Sequence, residues 1–171
     1  IPFHRDLEFS YGVSDTLSPL IRRVIAENPS PFTFHGTGTY IIGRGEVAVI
    51  DAGPDLTSHV EALLKALEGE TVSHLLVTHT HADHSPATRH LKALTGAETY
   101  GFGPHAGGRA GDDVEEGADR DFVPDVALGD GDVIHGAGWT IEAVHTPGHT
   151  SNHLCFALKE EGALFSGDHV M

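Results

Sequence analysis

The side chains best suited to chemistry lie in one short run, His79-Thr80-His81-Ala82-Asp83-His84. In an extended segment, residues two apart project to the same side, whereas on a helix they point in nearly opposite directions. We therefore predict that His79, His81 and Asp83 lie on a loop that leaves a strand. Imidazole suits zinc and iron and carboxylate suits hard cations, so this run can serve two adjacent metal ions.

The alternative interpretation of this run is a polar, solvated loop, because an isolated His-x-His is usually no more than that. Four ligand-type side chains directly after an apolar strand favour the metal site. Two later turns repeat the pattern of a strand followed by a ligand-type residue. A Pro-Gly turn presents His149, and Asp168 follows Leu164-Phe165. Each would be a structural turn residue if it stood alone, but with the histidine run they indicate one shared site.

Strands and helices alternate around these residues. Residues 41–50 predict a hairpin whose second strand ends on Asp51. Leucine and valine at helical spacing predict a helix over residues 56–67, with Ser58-x-x-Glu61 as a capping box and Gly69 as its stop. The sequence thus places one carboxylate, that of Asp51, at the end of a strand before the metal-ligand candidates begin.

Residues 74–78 predict a short buried strand that leads into the histidine run, and Ser85 can cap the next helix, which ends at Gly96. Residues 17–25 are ambiguous, because their apolar spacing fits a helix while their β-branched side chains and the following Asn28-Pro29 suit a strand. Further short strands are predicted at residues 133–134, 139–144, 153–158 and 163–165.

Composition limits the classes of protein. With 171 residues and 39% hydrophobic content, we expect a single domain over residues 1–171. The net charge of -15 gives no general attraction to nucleic acid or to an anionic membrane, whereas 14 histidines against 10 lysines and arginines favour a metal site. No run is apolar enough to span a membrane, no secretory signal is evident, and the single cysteine cannot form an internal disulfide. We expect a soluble cytoplasmic protein.

The chain resembles the metallo-β-lactamase superfamily, most closely the group that includes glyoxalase II and the LACTB2-like proteins. The resemblance runs from about Ile25 to the end of the chain and implies an α+β fold, the αββα sandwich, in which residues 17–25 contain a strand. Besides the histidine run, it rests on Asn28-Pro29-Ser30-Pro31, Gly36-Thr37-Gly38-Thr39-Tyr40, Asp51-Ala52-Gly53, Asp130-Gly131-Asp132, Thr146-Pro147-Gly148-His149-Thr150 and Ser166-Gly167-Asp168.

The resemblance implies a dinuclear zinc site, with iron and manganese as alternative metals. The residues that it assigns as ligands are His79, His81 and His149 for the first ion, Asp83 and His84 for the second, and Asp168 as the bridge between them. Asp51 and His153 would stand behind the ligands, where Asp51 would accept a hydrogen bond from a ligand histidine and fix its tautomer. His145 matches no ligand position. Structural or surface roles are expected for His4, His35, His59, His74, His90, His105 and His135, whereas the role of His169 stays open because it adjoins Asp168.

The implied activity is hydrolysis of an ester, thioester, lactone or phosphodiester by a metal-bound hydroxide, with Asp83 as the catalytic residue that orients it. We expect a small-molecule substrate and no membrane partner. RNA cleavage is associated with LACTB2-like relatives but gains no support from the negative charge, and the sequence does not indicate an oligomeric state. Two alternatives are a mononuclear iron persulfide dioxygenase and an inactive metal-binding fragment of a longer enzyme.

The chain departs from the family pattern at its end and in two motifs. It stops soon after Asp168, before the last histidine that family members use for the second metal, and it begins without methionine. We therefore expect an incomplete domain, the N-terminal two-thirds of the sandwich, truncated at its C-terminal end. Ser85-Pro86-Ala87 stands where relatives often have glycines, and Gly38 replaces a frequent asparagine.

Overall fold

A computed structural model describes residues 7–105 and 117–170 of the chain. Over these residues the backbone forms two sheets, two α-helices and one 3-10 turn. In chain order the elements are β1 (Ser14–Thr16), β2 (Ile21–Ile25), β3 (Gly38–Arg44), β4 (Glu46–Ile50), α1 (Thr57–Ala66), β5 (Thr71–Leu76), α2 (Thr88–Thr95), β6 (Glu98–Gly101), β7 (Val126–Ala127), β8 (Val133–Gly136), β9 (Trp139–His145), β10 (Leu154–Leu158), β11 (Ala163–Phe165) and the 3-10 turn (Gly167–His169).

The first sheet holds β1 to β7 in chain order. The strands β1 to β4 pair antiparallel through short connections, and β4 to β7 pair parallel. The change of direction falls where α1 crosses over between β4 and β5, as a parallel pair requires. The predicted hairpin at residues 41–50 is confirmed. The ambiguous segment at residues 17–25 contains the strand β2, which agrees with the family resemblance.

The second sheet is antiparallel, with the strand order β11-β10-β9-β8. Each neighbouring pair is also consecutive in the chain, so short turns connect all four strands. These strands correspond to the four short apolar stretches predicted after residue 130. Because β9 and β11 both run antiparallel to β10, the turns that follow them emerge at the same edge of the sheet.

Two apolar cores hold three layers together. Alternate residues of a strand face opposite sides of its sheet, so Ile41 and Val49 face the helices whereas Ile42 and Ile50 face the second sheet. Leu63 of α1 and Leu91 of α2 are among the buried residues of the helix-facing core. The core between the sheets includes Trp139, Ile141, Leu154 and Phe156, all at most 1% exposed. The predicted α+β sandwich is confirmed, with one helical layer and both sheets in the described residues.

Both helix starts differ from their predictions. The first residue of α1 is Thr57, so Ser58 lies within the first turn and cannot act as the cap, and Leu56 takes the cap position. The helix α2 begins at Thr88, and the Ser85 hydroxyl donates instead to Asp119 Oδ2 at 2.8 Å. The predicted stop at Gly96 is confirmed by its left-handed backbone, with φ of 74°. Neither helix in the described part of the chain is long and apolar enough to cross a bilayer.

Candidate metal centre

The loops that carry the predicted ligands meet at one edge of the sandwich. Because β4 and β5 are parallel, Asp51 and the histidine run follow their strands at the same edge of the first sheet. The second sheet presents the turns after β9 and β11, which carry His149 and Asp168. A hydrogen bond from Leu154 N to Thr78 O, 2.8 Å long, joins the two sheets at this edge. Four loops from two sheets therefore surround one volume.

His79, His81, His149 and Asp168 form what we call the histidine group. One ligand atom from each of these side chains lies within 4.8 Å of the ligand atoms of the others. His81 Nδ1 is 3.1 Å from His79 Nε2 and 2.9 Å from His149 Nε2. Asp168 Oδ2 lies 3.8 Å from His79 Nε2 and 3.5 Å from His149 Nε2. Three ring nitrogens and one carboxylate oxygen thus converge on a common point.

The electrostatics around His79 and His81 favour neutral imidazoles. Burial, followed by the neighbouring histidines, holds the pKa of His79 far below its usual value, and burial together with His149 lowers the pKa of His81. Several imidazolium charges at such distances would repel one another in a medium of low dielectric constant. Neutral imidazole is the form that binds metal, so these side chains are in the required protonation state at neutral pH.

Asp83 and His84, together with the second oxygen of Asp168, form the carboxylate group. His84 Nε2 lies 3.2 Å from Asp83 Oδ2 and 3.3 Å from Asp168 Oδ1. Asp168 therefore turns Oδ1 towards His84 and Oδ2 towards His79 and His149. This division of one carboxylate between two groups is the arrangement that the predicted bridging role requires.

Asp51 stands behind the carboxylate group. His84 Nδ1 donates to Asp51 Oδ2 over 2.8 Å, and the same carboxylate accepts hydrogen bonds from the backbone N–H and the hydroxyl of Thr78. Asp51 has the left-handed φ of 52°, a conformation that is uncommon outside glycine and that asparagine and aspartate tolerate best. The structure thus places Asp51 against a ligand-candidate histidine, as predicted from the resemblance.

The carboxylates around His84 determine its charge. Burial alone would lower its pKa, but the negative charge of Asp51 and the hydrogen bonds to Asp168, Asp51 and Asp83 raise the pKa well above the usual value. The pKa of Asp83 is held at about 2, because the hydrogen bonds and charge from His84 and the hydrogen bond from Thr37 outweigh the effect of burial. The carboxylates of Asp51, Asp83 and Asp168 thus share one cation, His84, so the surroundings of His84 carry more negative than positive charge.

His153 lies behind Asp168. Its side chain is fully buried, and burial lowers its pKa to about 4, so the ring is neutral at neutral pH. His153 Nε2 accepts a hydrogen bond from the backbone N–H of Asp168 at 3.2 Å, which leaves Nδ1 to donate to the Thr146 hydroxyl at 2.9 Å. Gly167, at φ of 47°, makes this approach possible, because a Cβ there would lie 2.7 Å from His153 Nε2.

The donor types fit a divalent metal ion. Imidazole nitrogen and carboxylate oxygen are the usual protein ligands of catalytic zinc, and they also suit iron. The hydrogen bond between Asp51 and His84 supplies the outer partner that metal-binding histidines usually have. Beside the carboxylate group lies a cleft of about 340 Å³, whose lining includes Asp83, His84 and Asp168 together with the apolar Leu17, Phe32 and Phe165.

Several buried polar residues that support the loop of the histidine run were not predicted from the sequence. Asp119 accepts hydrogen bonds from Ser85 Oγ at 2.8 Å and Arg89 Nη1 at 3.0 Å. Residues 117–119 also bind the backbone of the histidine run, for example through a hydrogen bond from Ala82 N to Gly117 O of 2.8 Å. Periodicity could not reveal this support, because the segment is irregular. Thr37 belongs to a recognised motif, but the motif alone did not indicate that its hydroxyl contacts Asp83.

Histidines outside the site have mixed environments. His145 stacks on Phe102, with ring centroids 4.1 Å apart, and its Nε2 donates to Ser151 O at 3.1 Å, which fits the prediction that it is no ligand. His59 is 3% exposed, and burial lowers its pKa to about 4. His74 packs between Tyr100 and Trp139. Structural roles therefore fit His59 and His74 better than surface positions. His4 lies outside the described residues.

The fold and the site together define a two-sheet α+β protein with a candidate metal centre at the edge where its sheets meet. Residues 33–171 match the family model described as the metallo-beta-lactamase superfamily. The chain belongs to this superfamily.

Similar proteins are known among curated sequences and solved structures. The chain is 37% identical over 162 residues to "Atrochrysone carboxyl ACP thioesterase dmxR1" of Cryptosporiopsis sp., covering 92% of this chain and 45% of that protein. It is 34% identical over 160 residues to "Atrochrysone carboxyl ACP thioesterase" of Aspergillus terreus, covering 92% of this chain and 46% of that protein. A beta-lactamase domain protein from Burkholderia ambifaria has a similar structure, with a TM-score of 0.74, 22% identity and coverage of 97% of this chain and 60% of that one.

These comparisons confirm the superfamily at a coarser level than the original prediction. The two curated relatives carry thioesterase names, not those of glyoxalase II or LACTB2-like proteins, so that finer grouping stays a prediction. The chain spans about half the length of these curated relatives. The structural similarity at 22% identity supports the fold alone.

Proposed function

We propose that the protein is a metal-dependent hydrolase whose metal centre consists of the histidine group and the carboxylate group. The observation that carries this proposal is the convergence of the donor atoms of His79, His81, His149 and Asp168 within 4.8 Å of one another. We propose two zinc ions, with the second at Asp83 and His84 and with Asp168 between them. Iron and manganese are the alternative metals.

The bound metal ions would supply an acidified water and polarise the bond to be hydrolysed. We propose Asp83 as the catalytic residue that orients this water and accepts or relays its proton. Its low pKa keeps the carboxylate ionised, and so able to accept a hydrogen bond, at neutral pH. Asp51 holds the ring of His84 through Nδ1, and His153 Nε2 accepts a hydrogen bond from the backbone N–H of Asp168, so both proposed ligands are held in place by residues behind them.

We propose a thioester as the substrate class, among the esters, thioesters, lactones and phosphodiesters that this chemistry can hydrolyse. Support comes from the two relatives named as thioesterases, which are 34% and 37% identical to this chain. The net charge of -15 repels a phosphodiester backbone, so RNA is the less favoured substrate. The apolar side chains beside the carboxylate group suit an acyl group better than a polyanion.

The first test is elemental analysis of protein purified without a chelating column. In the full-length protein we expect close to two zinc ions per chain in the wild type and a loss of metal in His81→Ala and Asp168→Ala, with His145→Ala as the matched control that keeps its metal. The metal-loaded wild type should then release thiol from an acyl thioester of N-acetylcysteamine, and a chelator should stop the release. A wild type that binds no metal would contradict the proposal.

Two other outcomes of the metal analysis would support a different function. A mononuclear iron dioxygenase is the second candidate, because the histidine group alone already offers four donors for a single ion. One iron per chain with oxygen consumption would support that function. Bound zinc without turnover on thioester, lactone and phosphodiester substrates would indicate a metal-binding part of a longer enzyme.

A further inference from the structure

Thr37 contacts the carboxylate group from outside the loops that carry ligands. It immediately precedes β3, and its hydroxyl lies 2.7 Å from Asp83 Oδ2, with both side chains buried. The two residues are 46 positions apart in the chain, so this contact depends on the tertiary fold. The contacted atom, Oδ2, is also the oxygen that approaches His84 Nε2.

The neighbouring hydrogen bonds fix the direction of the Thr37 proton. Thr37 N donates to Asn28 Oδ1 at 2.9 Å, which orients the Asn28 amide so that its Nδ2 donates to Thr37 Oγ1 at 3.2 Å. The Thr37 oxygen is therefore an acceptor for Asn28, and its single proton is left for Asp83. A donor held in one orientation restricts the carboxylate that accepts from it.

The segment that carries this donor is itself fixed. Ala26 N donates to Thr37 O at 2.9 Å and so closes the loop between β2 and β3, and Thr33 Oγ1 donates to Asn28 O at 2.6 Å inside it. Gly36 adopts φ of 128°, and a Cβ at this position would lie 1.9 Å from Ala26 O. A backbone this closely packed cannot carry Thr37 away from Asp83 without breaking several hydrogen bonds.

We propose that Thr37, oriented by Asn28, is a positioning residue that holds the Asp83 carboxylate in the orientation needed for metal binding and for orienting the attacking water. This inference rests on the proposed function, because it assigns Thr37 a role through Asp83. It goes beyond the ligand set, since neither Thr37 nor Asn28 is among the ligands. This role accounts for a threonine directly before β3, where its hydroxyl contacts the Asp83 carboxylate.

The test compares Thr37→Val, which keeps the shape but removes the hydroxyl, with Thr37→Ser, which keeps the hydroxyl. Zinc affinity is measured for each successive ion by competition with a chromophoric chelator, and kcat and KM are measured on the thioester. Groups that support metal ligands typically change metal affinity by about 10–100-fold. We expect Thr37→Val to weaken binding of the ion at the carboxylate group by that factor and to lower kcat more than it raises KM. Thr37→Ser should restore both the zinc affinity and kcat.

Thr39→Val is the matched control, because Thr39 is also buried and its hydroxyl contacts His59 Nε2 at 2.9 Å instead of the metal centre. It should bind zinc as the wild type does. Asn28→Asp provides a second route if Thr37→Val does not fold, since it removes the Nδ2 donor and should weaken the same ion. Wild-type zinc affinity and kcat in Thr37→Val, or an equal loss in Thr39→Val, would overturn the inference. A wild type without bound zinc would instead contradict the proposed function itself.

Discussion

The histidine group and the carboxylate group are held in different ways. In the histidine group, ring nitrogens of His79, His81 and His149 contact one another at 2.9 Å and 3.1 Å, and burial lowers the pKa of His79 and of His81. In the carboxylate group, His84 is surrounded by Asp51, Asp83 and Asp168 at 2.8 Å to 3.3 Å, and these charges raise its pKa. The histidine group therefore presents mainly ring nitrogens to a cation, whereas the carboxylate group must first exchange a proton and ion pairs for it.

This difference implies an order of binding. A metal that enters the histidine group displaces contacts between ring nitrogens, so it gives up little electrostatic stabilisation. A metal that enters the carboxylate group must displace the proton on His84 Nε2, and its affinity is reduced by the free energy of the contacts that Nε2 makes with Asp83 and Asp168. We expect the histidine group to hold the more tightly bound ion.

The largest effect should come from removing one ligand from each group in turn. Because a four-ligand structural zinc site provides about 10–16 kcal/mol, one ligand contributes about 3 kcal/mol, or roughly 100-fold in affinity. We expect His149→Ala to weaken the tighter ion by about this factor and His84→Ala to weaken the other ion. Stepwise zinc titration with a competing chelator measures both affinities. If both variants weaken the same ion, the two groups do not form separate sites.

A second prediction separates the pH dependence of the fold from that of the metal centre. Burial lowers the pKa of His59 from 6.5 to about 4, and this residue lies outside both groups. Between pH 6.5 and about 4, His59 is protonated in the unfolded chain but stays neutral in the folded chain. Stability is therefore fully present above about pH 6.5 and falls as the pH drops towards 4, by about 3 kcal/mol in total.

Urea unfolding of the metal-free protein at several pH values between 7.5 and 4 measures this loss, and His59→Gln should show a smaller slope over the same window. An identical slope in the variant would assign the loss to other groups. The remaining pH dependence of metal affinity, measured at pH values where His59→Gln and wild type are equally folded, then belongs to the two groups themselves.

The sequence was informative where short-range patterns determine structure. Two short apolar runs around a glycine-containing turn predicted β3 and β4, and leucine spacing predicted α1, because each pattern is local in the chain. The histidine run could be recognised because its ligand types are adjacent. The supporting contacts of Thr37 with Asp83 and of Asp119 with Ser85 could not, since they join residues 46 and 34 positions apart through loops without periodicity. The same limit applies to helix starts, where Ser85 bonds to Asp119 instead of capping α2.

The smallest of these effects tests the support behind the carboxylate group. Asn suits the left-handed backbone of residue 51 nearly as well as Asp does, so Asp51→Asn changes the charge and the acceptor set with little backbone strain. One of its two oxygens becomes an NH2 donor. If that oxygen is Oδ1, the backbone N–H of Thr78 loses its acceptor; if it is Oδ2, His84 Nδ1 and the Thr78 hydroxyl both lose theirs. We expect about a 10–100-fold loss of affinity for the weaker ion and no loss for the tighter one.

His145→Ala is the control for this variant, because His145 ends β9 just before the turn of His149 yet bonds to Ser151 O and stacks on Phe102. Loss of the stacked pair should cost about 0.5–1.5 kcal/mol of stability and leave both zinc affinities unchanged. Equal weakening of both ions by Asp51→Asn would mean that Asp51 supports the whole edge through Thr78 and the adjoining His79. Weakening of the second ion alone would mean that Asp51 acts through His84. The role of a residue at this site would then depend more on its hydrogen-bond partner than on its position in the chain.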